Sequence, residues 1–201
     1  MNIRTLALPG LLSAALVSSA FIGGSQLSAD GPKTFAVDNS HSTVIFKIKH
    51  MGASWTYGRF NTVKGSFSID DAALSKSSVS VEIASGSIDS NDAGRDKHLM
   101  SPDFFSVKQF PTITFKSTKV EKTASGYRAT GELALHGAKK VVSFDFVKVG
   151  EGKHPKTKVG IVGYEGTLTI QRSDFDMKKF VDNGMVGNDV HLIIAVEGHE
   201  S

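Results

Sequence analysis

The chain has 201 residues, with 23 Lys and Arg against 20 Asp and Glu, 13 Phe and no cysteine. The missing cysteines exclude disulfide frameworks, thiolate metal sites, haem attachment, cysteine nucleophiles and lipid attachment through a cysteine. A formal net charge of +3, without a Lys/Arg run interleaved with aromatics, leaves no electrostatic footprint for nucleic acid.

Arg4, the apolar stretch Leu6 to Ile22 and the small residues around Ala29 have the layout of a secretory signal peptide, residues 1–29, with Asp30 as the new start. Pro9-Gly10 and the short length argue against a permanent membrane anchor. Residues 30–201 contain no linker or composition break and read as one domain, exported to the periplasm or secreted.

Period-two alternation dominates that domain. After a short leading strand near Thr34 to Val37, Val44, Phe46 and Ile48 share a face that His50 continues. Val63, Gly65, Phe67 and Ile69 form the next stripe, then Val79, Val81 and Ile83. Ile88 falls on the opposite parity, which places a kink near Gly86. Asn91 to Phe105 is the one helical pattern, capped by Asn91 or Asp92 and apolar through Leu99, Phe104 and Phe105. Pro111 opens a strand with Ile113 and Phe115, and Tyr127, Ala129, Gly131, Leu133 and Leu135 form another. Val142, Phe144 and Phe146 come next, followed by Val162, Tyr164, Gly166, Leu168, Ile170 and Arg172 on one face. Val190, Leu192, Ile194 and Val196 finish the series. Turn signals are Ser125-Gly126, His136-Gly137 and Gly150-Glu151-Gly152.

About eight main strands with short connections predict an all-β antiparallel meander, either a closed barrel or a sandwich. Closure is favoured because it removes exposed edges and suits long strands with interior glycines. An eight-stranded barrel is filled by its own side chains or holds one small ligand. Gly65, Gly131 and Gly166, all inward-reading, bend the strands, leave interior volume, or do both.

Little points to catalysis. There is no Gly-x-Ser-x-Gly elbow and no glycine-rich phosphate loop, and the seven histidines are scattered without zinc-site spacing. Asp70-Asp71 reads as a turn, and no residue is assigned as a metal ligand, catalytic group or cofactor contact. His50 ends an apolar stripe, as a rim histidine or a donor to a ligand. Arg172 ends the inward stripe of Leu168 and Ile170, so it needs either an acid such as Asp96, Asp174 or Asp189, or an anionic ligand. Arg95 and His98, three apart, share a face of the helical segment that would plug a barrel end.

Several runs together resemble the YceI-like family of exported proteins: Asp38-x-x-His41-Ser42-x-Val44-x-Phe46, Arg95-Asp96-x-His98-Leu99, Asp103-Phe104-Phe105 and Phe110-Pro111-x-Ile113-x-Phe115. Gly131-x-Leu133-x-Leu135-x-Gly137, Arg172-Ser173-Asp174-Phe175 and Gly187-x-Asp189-Val190 follow in the same order and spacing. One departure is Asp176, where the family usually has Gly.

The resemblance implies an eight-stranded antiparallel, lipocalin-like barrel with a short helical cap and an elongated apolar cavity. It further implies a non-enzymatic periplasmic protein that holds a polyisoprenoid or similar long-chain amphiphilic lipid for carriage, storage or stress response. On that reading Val44, Phe46, Ile48, Phe67, Ile83, Phe105, Phe115, Leu133, Phe144, Tyr164, Leu168, Ile170, Leu192 and Ile194 line the cavity. Arg172, Arg95, His98 and His50 are then the candidates for the lipid head group. Stable membrane insertion and nucleic-acid partners are not expected, and a homodimer is compatible with such a barrel. The alternative is an envelope interaction module with a filled barrel and no lipid, using Trp55, Tyr57 and Phe60 as an exposed patch around a Gly52–Gly58 turn.

Overall fold

The computed structural model describes Met1 and residues 31–201. The expected signal peptide, Met1 apart, lies outside the described residues. The strands are β1 (Phe35–Val37), β2 (Thr43–His50), β3 (Ser54–Phe60), β4 (Val63–Ser68), β5 (Ser78–Ala84) and β6 (Ile88–Asp89). After the helix α1 (Ala93–Leu99) come β7 (Thr112–Lys122), β8 (Tyr127–Leu135), β9 (Ala138–Lys153), β10 (Gly160–Gln171) and β11 (Val186–Glu200).

These eleven segments form eight staves of a closed antiparallel barrel. β1 and β2 lie one after the other along the same edge of β11, at Phe35↔Glu200 and Ile194↔Val44. Together they make the first stave. β4 pairs with both β1 and β5, while β3 pairs with β2 and β6, so β3–β4 is the second stave and β5–β6 the third. From β7 to β11 each neighbour in sequence is the neighbour in space. Pairing of β1 with β11 closes the ring, which leaves a lipocalin-like barrel with α1 beside one end.

The three interrupted staves bend side by side, and there side chains supplement the backbone ladder. Asn39 Oδ1 accepts the Val63 N–H at 2.6 Å, and Ser87 Oγ accepts the Thr62 N–H at 3.0 Å. Ser42 Oγ accepts the Glu197 N–H at 3.0 Å. The expected kink near Gly86 is a 3₁₀ turn over Ser85–Ser87, anchored by Ser85 Oγ donating to the Phe110 carbonyl at 2.6 Å.

Interior glycines serve close backbone approach. Gly65 has φ +137°, and a Cβ there would lie 2.1 Å from the Ser80 carbonyl oxygen. At Gly131 a Cβ would lie 2.2 Å from the Lys116 oxygen, next to the bulge between Ser117 and Lys119. The His136-Gly137 signal is a two-residue hairpin with φ of 51° and 79°, the left-handed conformation whose turn matches the right-handed twist of the flanking strands.

Three local expectations fail. Ser54–Phe60 is strand β3, because Gly58 sits in the ladder opposite Phe46, whose ring a Cβ would meet at 2.3 Å. Phe60 is buried in the core, not part of an exposed patch. Gly150-Glu151-Gly152 is strand, paired with Ile161 to Gly163, and the reversal falls at residues 154–159.

Candidate ligand cavity

Inward residues of all eight staves meet around a cavity of about 190 Å³ with an almost wholly apolar wall. Val44, Phe46 and Ile48 enter from β2, Phe67 from β4, Val81 and Ile83 from β5, and Ile113 and Phe115 from β7. Leu133, Phe144, Tyr164, Leu168, Ile170, Leu192 and Ile194 complete the circuit from β8 to β11. Ile83, Phe115, Leu168, Leu192 and Ile194 point inward yet are only half-buried, because they face the cavity instead of another side chain. The interior is hollow. From Tyr164 to Arg172, both on its wall, runs eight residues of chain, roughly 26 Å at ~3.3 Å per residue.

One end is shut by aromatic rings. Phe67 meets Tyr164 edge-on at 5.5 Å, Phe146 meets Tyr164 at 5.6 Å, and Tyr127 stacks on Phe146 at 5.2 Å. The Tyr127 hydroxyl donates to Asp71 at 2.9 Å, and Lys122 Nζ pairs with the same carboxylate at 2.7 Å. These two donors hold the Asp71 carboxyl below its ordinary pKa. Asp70 makes the expected turn by accepting the Ala72 and Ala73 N–H groups. Burial pushes the Tyr164 phenol well above its ordinary value, so it is neutral.

The other end carries Arg172, the one cation on the cavity wall among the described residues. Arg172 is 3% exposed in a 3₁₀ turn over Arg172–Phe175. Its Nε donates to the Gly187 carbonyl at 2.7 Å, one terminal nitrogen to Met177 at 2.7 Å and the other to Val186 at 2.9 Å. None of the acids Asp96, Asp174 and Asp189 forms an ion pair with it among the described residues. A guanidinium has five N–H groups, so each terminal nitrogen keeps one beyond these bonds. Desolvation lowers the Arg172 pKa, yet an arginine stays charged at neutral pH. Phe104 lies under the guanidinium at 6.0 Å, and Phe105, Leu99, Met177 and Val186 complete this rim.

The other head-group candidates lie elsewhere. Arg95 is exposed and tied to its own loop, with Nε to Ser90 Oγ at 2.8 Å and a terminal nitrogen to the Ser90 carbonyl at 2.6 Å. Asp92 Oδ1 caps α1 by accepting the Arg95 N–H. His98 is exposed and pairs with Asp103 at 3.0 Å, which also pairs with Lys179 at 3.3 Å. His50 is exposed at the end of β2. The parity that carried His50 inward stops applying where β2 runs out. Sequence reasoning missed Phe104 as Arg172's ring partner, Val186 and Met177. Phe104 and Met177 sit in loops without a period, and Val186 only opens β11.

A profile of the YceI-like domain matches residues 35–198. The chain belongs to the YceI-like family. It is 42% identical to a UPF0312 protein of Ectopseudomonas mendocina (strain ymp), over 95% of this chain and 98% of that one. The fold is similar to that of Burkholderia cenocepacia BcnA, with TM-score 0.73 and 23% identity over 80% of this chain and 98% of the other. It is also similar to a polyisoprenoid binding domain from Saccharophagus degradans implicated in plant cell wall breakdown, with TM-score 0.62 and 13% identity over 85% and 100% of the two chains. The YceI-like Asp176 has φ 59° and ψ 12°, so the turn keeps the left-handed conformation that a glycine would adopt freely.

Proposed function

We propose that this YceI-like protein binds a long-chain amphiphilic lipid of the polyisoprenoid class, without chemistry on it, as an exported periplasmic carrier or store. The observation that carries the reading is a continuous apolar hollow with a buried, acid-free arginine on its wall. The similarity to a domain described as polyisoprenoid binding supports it, and the leader-like N-terminus supports export.

Burial of one methylene is worth roughly 0.8 kcal/mol, so a five-carbon isoprene unit contributes about 3–4 kcal/mol before ordering costs. The tail therefore supplies most of the affinity. Arg172 orients the polar end through the two N–H groups its carbonyl partners leave over, and Phe104 and Phe105 cover it. The aromatic end sets how much chain fits.

Protein purified from its native host without detergent should carry a lipid, visible as added mass under native conditions and identified after solvent extraction as isoprenoid. Protein that is consistently empty, and that also refuses isoprenoid alcohols and phosphates in titration, rules the reading out.

A further inference from the structure

Outside the barrel, at the seam where β1 gives way to β2, the fold gathers two imidazoles and two carboxylates from opposite ends of the domain. Asp38 and His41 belong to the turn between β1 and β2, while Glu197 and His199, two apart on β11, project from its outward face. His41 Nδ1 lies 2.6 Å from Asp38 Oδ2 and 3.7 Å from Glu197 Oε1. His199 Nε2 lies 3.2 Å from Glu197 Oε1 and 3.7 Å from Asp38 Oδ2. The four atoms thus form a ring of alternating nitrogen and oxygen.

A tetrahedral zinc ion with bonds of about 2.0–2.1 Å holds neighbouring ligand atoms about 3.4 Å apart. Three of the four edges are already near that value; the donor atoms of Asp38, His41 and Glu197 all lie within 4.8 Å of one another, and the His199 imidazole has to swing toward His41 to complete the set. The fourth, His41 to Asp38, is a hydrogen bond that opens when a metal displaces its proton. The scaffold under the ring is fixed. The Asp38 N–H donates to the Glu197 carbonyl at 2.9 Å, and Ser42 bonds both the N–H and the carbonyl of Glu197. Asp38 Oδ1 accepts the Ser40 N–H, which leaves Oδ2 for the ring. His154, from the turn after β9, brings a further imidazole to 6.0 Å from the His199 ring. Its Nδ1 accepts the Thr157 N–H, so an ion can be taken only through Nε2.

We propose that Asp38, His41, Glu197 and His199 form a binding site for a divalent transition-metal ion of the zinc class. Mixed imidazole and carboxylate donors suit such an ion, and two carboxylates supply the charge to neutralise it. No Cys or His-x-x-x-His spacing announces the site, because the donors are joined only by barrel closure. The bound ion ties the β1–β2 turn to β11 and lies on the opposite side of the wall from the lipid cavity.

The test uses tag-free protein at pH 7.5, titrated with Zn²⁺ against a chromogenic chelator and, separately, with Co²⁺ in the visible range. The expected result is one Zn²⁺ per chain, a higher Tm with zinc than without, and Co²⁺ absorption stronger than that of the hydrated ion. His41→Gln and Glu197→Gln should each weaken zinc binding at least tenfold, and His191→Gln, outside the cluster, should leave it unchanged. The Co²⁺ spectrum of the unmodified protein decides the matter even if a variant fails to fold. An absence of saturable binding, or equal zinc affinity in His41→Gln/His199→Gln, overturns the proposal.

Discussion

The two ends of this barrel are finished by different chemistry. At the Tyr127 end, rings from β4, β8, β9 and β10 fill the lumen, and the hydroxyl that reaches its edge is satisfied by Asp71. At the Arg172 end, a buried cation is held by the Met177 carbonyl, from the loop after β10, and by the Val186 and Gly187 carbonyls at the start of β11. α1, whose residues are all at least partly exposed, lies to the side, and its segment adds Leu99, Phe104 and Phe105 to the cavity wall. A ring stack needs no ligand to be complete. A cation without an acidic partner among the described residues keeps unspent hydrogen-bonding capacity, which is why the proposed head-group contact is placed at this end.

That contrast predicts a graded response. Arg172→Met should be the most damaging change, costing about 3 kcal/mol, because it leaves three carbonyl acceptors without their donors, each worth ~1–3 kcal/mol when buried. Urea denaturation measures the stability, and lipid carried through purification should fall in parallel. A loss under 1 kcal/mol would show that the carbonyl cradle does not hold this end. Arg172→Lys should rescue little, since an ammonium cannot span all three carbonyls.

Tyr127→Phe, at the closed end, should cost about 1 kcal/mol and leave lipid content unchanged, since it removes one hydrogen bond to a largely exposed carboxylate. The folded-state pKa of Asp71 is lowered, so its contribution is present above the unfolded value near 4 and is lost as pH falls through the lowered pKa. Tm of the unmodified protein should therefore drop below about pH 4, and Asp71→Asn should flatten part of that drop. An equal acid slope in both proteins would remove Asp71 from the account.

Asp176→Gly should have the smallest effect, a slight rise in Tm, because relief of the left-handed conformation outweighs the exposed ion pair with Lys178. Thermal melts resolve it, and a destabilised variant would mean that the ion pair governs the turn.

The barrel was legible because its walls obey a two-residue period. Stripes such as Tyr127 to Leu135 and Val162 to Ile170 mark which side faces in, and inward parity led directly to the side chains now found on the cavity wall. β3 was not legible. Ser, Trp, Thr, Tyr, Gly and Arg give it no apolar stripe, and its glycine, which normally marks a turn, here makes room for the Phe46 ring. The surroundings of Arg172 were equally hidden. An acidic partner was the simplest expectation, but carbonyls supply the acceptors, and every residue type carries a carbonyl. Arg95 and His98 share a helical face, as their spacing implied, but the spacing does not say whether that face looks toward the lumen, and both side chains lie exposed and off the cavity wall. The grouping of Asp38 with Glu197 comes from barrel closure, which no local pattern encodes.

Ring closure joins Phe35–Val37 to residues 198–200, almost the greatest separation available along the domain. Loop-closure entropy must be met before those pairs form, which makes this a slow topology whose last bonds complete it. β11 alone joins β10 to β1 and β2, so without it the ring of strands is not closed. An enclosed cavity therefore requires the whole domain, its final strand included, to have been synthesised.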